Sequence, residues 1–323
     1  MLWGCIKMTM GFSVKDQVVA TKIVAADGSG QFTDIQAAIN DLPAGGGVVY
    51  IKEGTYTITS AITILSDNIE LHGAGDSTII YLADSSNTNI LEISDYNTAI
   101  EGVRITTLQI NGNTAHNNTN GYGIVVFGDP SYIVSRVDIE DCYIHHCNQD
   151  AINAYKTDGL VISRNHLKNC RYGIYLNDTT ATISQNNVHN NSFDGIHLWT
   201  VYWIHPEFSG YVVTGNHVYS NVGSGIRVDE TDFALITGNH CYNNTQGLGS
   251  TAGIAINDDS NRCIVNSNVC FDEQATATQK YGIWIVGADC NKNVVVGNVC
   301  YANTTEQLRN SGTNTIVEHN QTT

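Results

Sequence analysis

The chain has 323 residues, with 15 basic against 31 acidic residues, a formal charge of −16, 42% hydrophobic residues, 30 Gly and 3 Pro. That balance argues against a nucleic-acid partner, whose phosphates call for clustered Lys and Arg, and no apolar run reaches the length of a membrane span. Met1–Phe12 is mildly apolar but lacks a charged n-region and a small-residue cleavage site, so it is not read as a signal peptide.

In chain order, residues 1–22 read as a lead-in or tail, 23–46 as a capping segment and 47–323 as one repetitive domain. Within the capping segment, Phe32, Ile35, Ala38, Ile39 and Leu42 fall on one helical face. Thr33 with Gln36 has capping-box spacing, and Pro43 ends the run. The expectation is an amphipathic helix that covers the open first layer of the domain behind it.

From residue 151 the same short run returns as AINAY, GIYLN, GIHLW, GIRVD, GIAIN and GIWIV, starting at 151, 173, 195, 225, 253 and 282, in steps of 22, 22, 30, 28 and 29 residues. Each step holds three runs of strand length separated by turn residues, and none is long enough for an ordinary helix. A repeat of this size is the signature of a solenoid. With three strands per repeat, it is a parallel β-helix of about ten to eleven coils. Asn165, Asn186, Asn216, Asn239, Asn268, Asn298 and Asn320 recur in phase with these starts, as expected for asparagines that stack and pass amide hydrogen bonds from coil to coil. Cys241, Cys270 and Cys300 replace the Leu167, Val188 and Val218 of earlier coils. They read as small buried hydrophobes, although the coil spacing would also permit a disulfide.

The opening DGSGQFTDIQAAINDLPAGGGVVYIKEGTY resembles that of the pectin-lyase-like superfamily of right-handed parallel β-helices, and is similar to the start of mannuronan C5-epimerases, pectinesterases and some phage tailspikes. The repeats extend the resemblance from about Lys22 to Asn320. It implies the fold, a polysaccharide ligand and an extracellular or virion-surface setting. Of the family motifs, Asn148-Gln149-Asp150-Ala151 is similar to the Asn-Gln-Asp-Asp of polygalacturonases, with Ala151 in place of the second carboxylate. Asp150–Lys156 lies where the epimerases carry Tyr-Gly-Phe-Asp-Pro-His-Glu, so that Asn153 and Tyr155 stand at its Asp and His.

Strand alternation points the two apolar residues of each Gly-Ile run inward and their neighbours outward. One outward column is Asn153, Tyr175, His197, Arg227, Ala255 and Trp284; the next is Tyr155, Asn177, Trp199, Asp229, Asn257 and Val286, with Lys156, Asp178, Glu230 and Asp258 at the strand ends. This face suits a few sugar rings. Candidate catalytic residues are Tyr175, His197, Arg227, Tyr155, Asp229 and Asp178. Candidate substrate-binding residues are Asn153, Lys156, Asn177, Trp199, Asn257 and, from the aromatic insertion 200–210, Tyr202 and Trp203.

Removing the proton beside a uronate carboxyl takes a base, an acid and a cation. His197, Tyr175 or Tyr155, and Arg227 match those roles, which makes polysaccharide lyase or C5-epimerase chemistry the leading expectation. A non-catalytic adhesin or tailspike is the alternative. A second alternative is inverting hydrolysis by Asp178 and Asp229, two coils and about 9–10 Å apart along the axis, or by Asp150 and Asp194. No cofactor is required; Asp229, Glu230 and Asp258 could hold Ca²⁺, but without a calcium-loop spacing. His166, His217 and His240 form a rival outward cluster, and His145-His146 reads as turn surface. No amphipathic helix covers the last coil, which predicts a homo-oligomer or another covering segment at that end.

Overall fold

The structure, a computed structural model, describes residues 20–94, 97–200, 210–245 and 251–322. Among them, strands of two to seven residues assemble into three parallel sheets of 13, 11 and 10 strands, here A, B and C. Successive strands of one coil go to different sheets, and each strand pairs with its equivalent one coil away. The result is a parallel β-helix. Its core is the column of inward residues that coil stacking creates, since alternate side chains on every strand enter the same interior.

The register matches the repeat. Ile152, Ile174, Ile196, Ile226, Ile254 and Ile283 are partners in sequence on sheet C, and all six are fully buried. Cys241, Cys270 and Cys300 pair in the same way on sheet B and are fully buried. The eight described cysteines are free thiols, so the column packs without cross-linking.

The asparagine ladder is continuous. Asn216 Oδ1 accepts from the Asn186 backbone N–H at 3.0 Å and from Asn186 Nδ2 at 2.9 Å, and its own Nδ2 donates to Ile183 O and Asn239 Oδ1, both at 2.9 Å. The same exchange links Asn165 to Asn186 and runs on through Asn239, Asn268 and Asn298 to Asn320. Each side chain thereby satisfies backbone groups that the corner between two sheets takes out of the strand ladders. A second ladder, Asn191–Asn221–Asn244–Gln279–Asn303, turns the next corner. It was readable as well: in four coils an Asn follows the first ladder residue by five positions (186 and 191, 216 and 221, 239 and 244, 298 and 303).

The first strand, Lys22–Val24, already belongs to sheet A, where it pairs with Gly47–Ile51. Between them lies the helix Ile35–Asn40, whose Ile35, Ala38 and Ile39 are buried in the core. It is one and a half turns long, shorter than the apolar pattern suggests. Its N-cap is Asp34, which accepts from Ala37 N–H at 2.7 Å, in place of the expected Thr33. Gln36 is unavailable for a capping box because its amide binds both N–H and C=O of Thr63 on the adjoining strand.

Candidate functional site

Sheet C carries the outward columns in the expected register: Asn153, Tyr175, His197, Arg227, Ala255 and Trp284 are successive partners, as are Tyr155, Asn177, Trp199, Asp229 and Asn257. Burial along them is uneven. Tyr155, Tyr175, Asn153, Asn177, Trp199 and Arg227 are half-buried, whereas His197, Asp229 and Asn257 are buried on what alternation alone makes the open face. Tyr202 and Trp203 lie outside the described residues.

The centre of the face is a charged cluster. His197 Nε2 stands 2.9 Å from Asp229 Oδ2, and its Nδ1 lies 3.3 Å from Asp194 Oδ2, an ion-pair distance without hydrogen-bond alignment. Arg227 Nε donates to both Asp229 oxygens at 3.0 and 2.7 Å, and its Nη2 is 3.8 Å from Asp258. Burial works against a charged imidazole, but the Asp194 and Asp229 carboxylates outweigh it and hold the His197 pKa above the ordinary histidine value. Burial would likewise raise Asp229, yet His197 and Arg227 hold it below the usual carboxylate range. The two carboxylates therefore favour the protonated, donating form of His197 over the free base that its position on the strand suggests. Arg227 is likewise already occupied by a protein carboxylate.

Asp150 completes the cluster. It is buried, its Oδ2 accepts from Asn153 Nδ2 at 2.8 Å, and its Oδ1 lies 3.4 Å from the Tyr172 N–H. Burial pushes its pKa up to about 6, with Asn153 and the charge of Arg171 only partly offsetting it. Asp194 is built in the same way, with Oδ1 accepting from the Ser224 N–H at 2.6 Å. Asp150, Tyr172, Asp194 and Ser224 each stand two residues before a stacked isoleucine, so one register places all four along the lip of the sheet.

Aromatic rings line the lip. Tyr172 lies 5.2 Å from Tyr175, 5.1 Å from Phe193 and 5.5 Å from His197, and Tyr175 meets His197 edge-on at 5.0 Å. Burial pushes both tyrosine phenols up to about 12, so they too are proton donors at neutral pH. Tyr172, Phe193 and Arg171 are absent from the sequence-based candidates; the lip register just described was the signal.

Four candidates stand at the strand ends. Lys156, Asp178, Glu230 and Asp258 share one left-handed turn position, with φ of +49°, +46°, +49° and +40°. There Asp178 and Lys156 are buried, and the Lys156 ammonium rests 4.9 Å over the Tyr155 ring. Asp178 is buried at the end of the strand that carries Tyr175 and Asn177. Asp229 faces His197 and Arg227, and no group of three or more His, Cys, Asp or Glu among the described residues is placed to hold a metal ion. On sheet B, His145 is buried and not turn surface: burial and the neighbouring His146 push its pKa down to about 4. His217 and His240 lie with ring centres 5.0 Å apart and tilted by 32°, and His166 pairs with His189, Nε2 to Nε2 at 2.7 Å.

Residues 80–201 match the family model described as right handed beta helix region. Among solved structures, the A-module of a mannuronan C-5 epimerase from Azotobacter vinelandii is similar over 90% of this chain and 94% of its own, at 19% identity and a TM-score of 0.57. The chain has the right-handed parallel β-helix fold. DFA-IIIase from Arthrobacter chlorophenolicus A6, in complex with DFA-III, is similar to this β-helix over 93% of the chain and 84% of its own (15% identity, TM-score 0.71). The ORF18 protein of Geobacillus virus E2 is similar over 94% of the chain and 60% of its own (17% identity, TM-score 0.64). At these identities the likeness is one of fold. A search of curated proteins gives no match.

Proposed function

We propose that this β-helix binds a polysaccharide along the outer face of sheet C and cleaves a glycosidic bond there by acid–base catalysis. Asp150 is the general acid and Asp194 the base. The observation that carries this reading is Asp150 itself, a buried carboxyl with a pKa raised to about 6, two coils from a second carboxylate in the same position. Two strand spacings put the pair roughly 9–10 Å apart along the axis, close to the upper end of the range for an inverting pair. An acid whose pKa lies near the working pH is suited to protonating a leaving oxygen. The solved structures of similar fold support a carbohydrate ligand, since one is a mannuronan C-5 epimerase and another holds DFA-III.

A second reading is C5 proton abstraction on a uronate, as in a lyase or C5-epimerase. It is favoured by the edge-on contact of Tyr175 with the His197 imidazolium on adjacent coils. It is opposed by Arg227, whose Nε is already bonded to both Asp229 oxygens. Incubation with a panel of neutral and acidic polysaccharides separates the two. New reducing ends without ultraviolet absorbance support hydrolysis, whereas an absorbing unsaturated product or inversion at C5 by NMR overturns it. Binding with no turnover on any glycan would leave an adhesin.

A further inference from the structure

Seven arginines lie among the described residues, and five have a carboxylate at ion-pair distance: Arg104, Arg136, Arg164, Arg227 and Arg262. The other two, Arg171 and Arg309, have no carboxylate at that distance among the described residues, in a chain where acids outnumber bases 31 to 15. Their placement is alike. Arg171 lies over the rings of Tyr172 and Phe193 at 5.1 and 5.2 Å, is exposed, and is tethered by Nη1 to Gln149 Oε1 at 3.3 Å. Arg309 lies over Tyr281 and Trp284 at 5.6 and 5.4 Å and is tethered by Nη1 to the Tyr281 hydroxyl at 2.9 Å.

Both are on the sugar-binding side proposed above. Arg171 is in the turn that enters sheet C beside Asp150, and Arg309 is the strand partner of Trp284, continuing the column of His197 and Arg227. Five strand spacings separate their strands, about 24 Å at ~4.8 Å each. Between them, Asn257 Oδ1 and Trp284 Nε1 are polar atoms with no hydrogen-bond partner, unlike the satisfied ladders elsewhere in the coil. Phe193 adds an exposed ring (47%) at the Arg171 end.

A guanidinium held over aromatic rings and tethered by Nη1 alone leaves its Nε and Nη2 donors for a ligand, and that edge matches a carboxylate or a sulfate. We propose that Arg171 and Arg309 are two anion anchors, one on each side of the acid cluster, that grip anionic substituents of one extended glycan. The proposal rests on the polysaccharide reading of sheet C and assigns to it the charge and minimum length of the ligand. It also explains how an acidic protein whose Arg227 Nε is bonded to Asp229 would hold an anionic chain: the two arginines without a carboxylate partner among the described residues stand at the ends of the groove.

The test measures binding of a polyuronate, a sulfated glycan and a neutral glycan by calorimetry to wild type, Arg171→Ala, Arg309→Ala and the control Arg136→Ala. Arg136 is paired with Glu101 on sheet A and lies away from the groove. Each anchor variant should lose about tenfold in affinity for a long anionic chain while the control is unchanged. Arg309→Ala should leave binding of fragments too short to span the groove unaltered. Loss with the polyuronate alone identifies carboxylate as the anion, and loss with the sulfated glycan alone identifies sulfate. Wild-type affinity in both variants, or tight binding of the neutral chain alone, overturns the anchors. Because binding is read directly, anchors that hold while no glycan is cleaved would reject the catalytic reading only. Cleavage with unaltered anchor variants would reject the anchors only.

Discussion

Asp150 and Asp194 are the same device two coils apart: each turns Oδ1 to a backbone N–H of the next coil and Oδ2 to the residue three positions on. What differs is that third residue. Asn153 is neutral and leaves Asp150 with a raised pKa, whereas His197 is a cation placed between Asp194 and Asp229. One strand register thus yields a proton-holding acid and an ion-paired carboxylate side by side, which is the separation of roles that acid–base catalysis requires.

Asp150→Asn should abolish glycan cleavage, with a fall of about a hundredfold or more, while circular dichroism remains that of the wild type. The wild-type rate should fall as pH rises above about 6, because the acid must be protonated. A profile flat from pH 5 to 8 on a cleaved substrate would remove Asp150 from the acid role.

The same group ties stability to pH. Its folded pKa, about 6, lies above the ordinary 3.8, so its contribution is complete below about pH 3.8 and is lost as pH rises through about 6. Two units correspond to about 3 kcal/mol as an order of magnitude. Asn carries no such charge. Asp150→Asn should therefore be least favourable relative to wild type at acid pH and gain on it toward pH 7.5. Urea denaturation at both pH values measures the difference, and an equal difference at the two would mean that Asp150 titrates normally.

His197 has the opposite partners and a different pH signature. Its raised pKa means that the stability it contributes is complete below about 6.5 and is lost as pH rises through the higher folded value. His197→Ala leaves Asp194 buried without its cation and Asp229 with Arg227 alone, at a cost of roughly 3 kcal/mol near pH 7. The penalty should shrink toward pH 4, where the two carboxylates take up protons instead. A penalty independent of pH, followed by the same denaturation series, would show that the loss is one of packing alone.

How much of this was legible follows from period. The Gly-Ile runs, the first asparagine ladder and the cysteine column all repeat in phase, and phase decides which side chains share a face. The outward order from Asn153 to Trp284 was therefore readable to the residue. Partner choice was not. That His197 lies between two acids and that Asp229 accepts from Arg227 Nε depend on rotamers, which a period does not encode. The lip column of Asp150, Tyr172, Asp194 and Ser224 was in phase too, but it precedes the strands and is hidden among turn residues. The cap shifted from Thr33 to Asp34 because Gln36 found a tertiary partner in Thr63.

The ladder offers the sharpest test of the fold. Asn216 is fully buried and exchanges side-chain hydrogen bonds with Asn186, Ile183 and Asn239. Asn216→Ala takes the acceptor from the Asn186 N–H and the donor from Ile183 O, leaving both in a corner that water does not reach. At roughly 1–3 kcal/mol for each unsatisfied group, the variant should lose about 3 kcal/mol or more. Asn40→Ala is the control, since Asn40 is exposed at the end of the helix and its side chain accepts one hydrogen bond, from Gln36; its cost should stay within about 0.5 kcal/mol. Hydrogen exchange locates the loss, because the Asn186 amide should become the least protected of the ladder amides in the Asn216 variant. Equal stability of the two variants would mean that the corner asparagines are turn formers, and that the stacked aliphatic columns alone hold the coils in register.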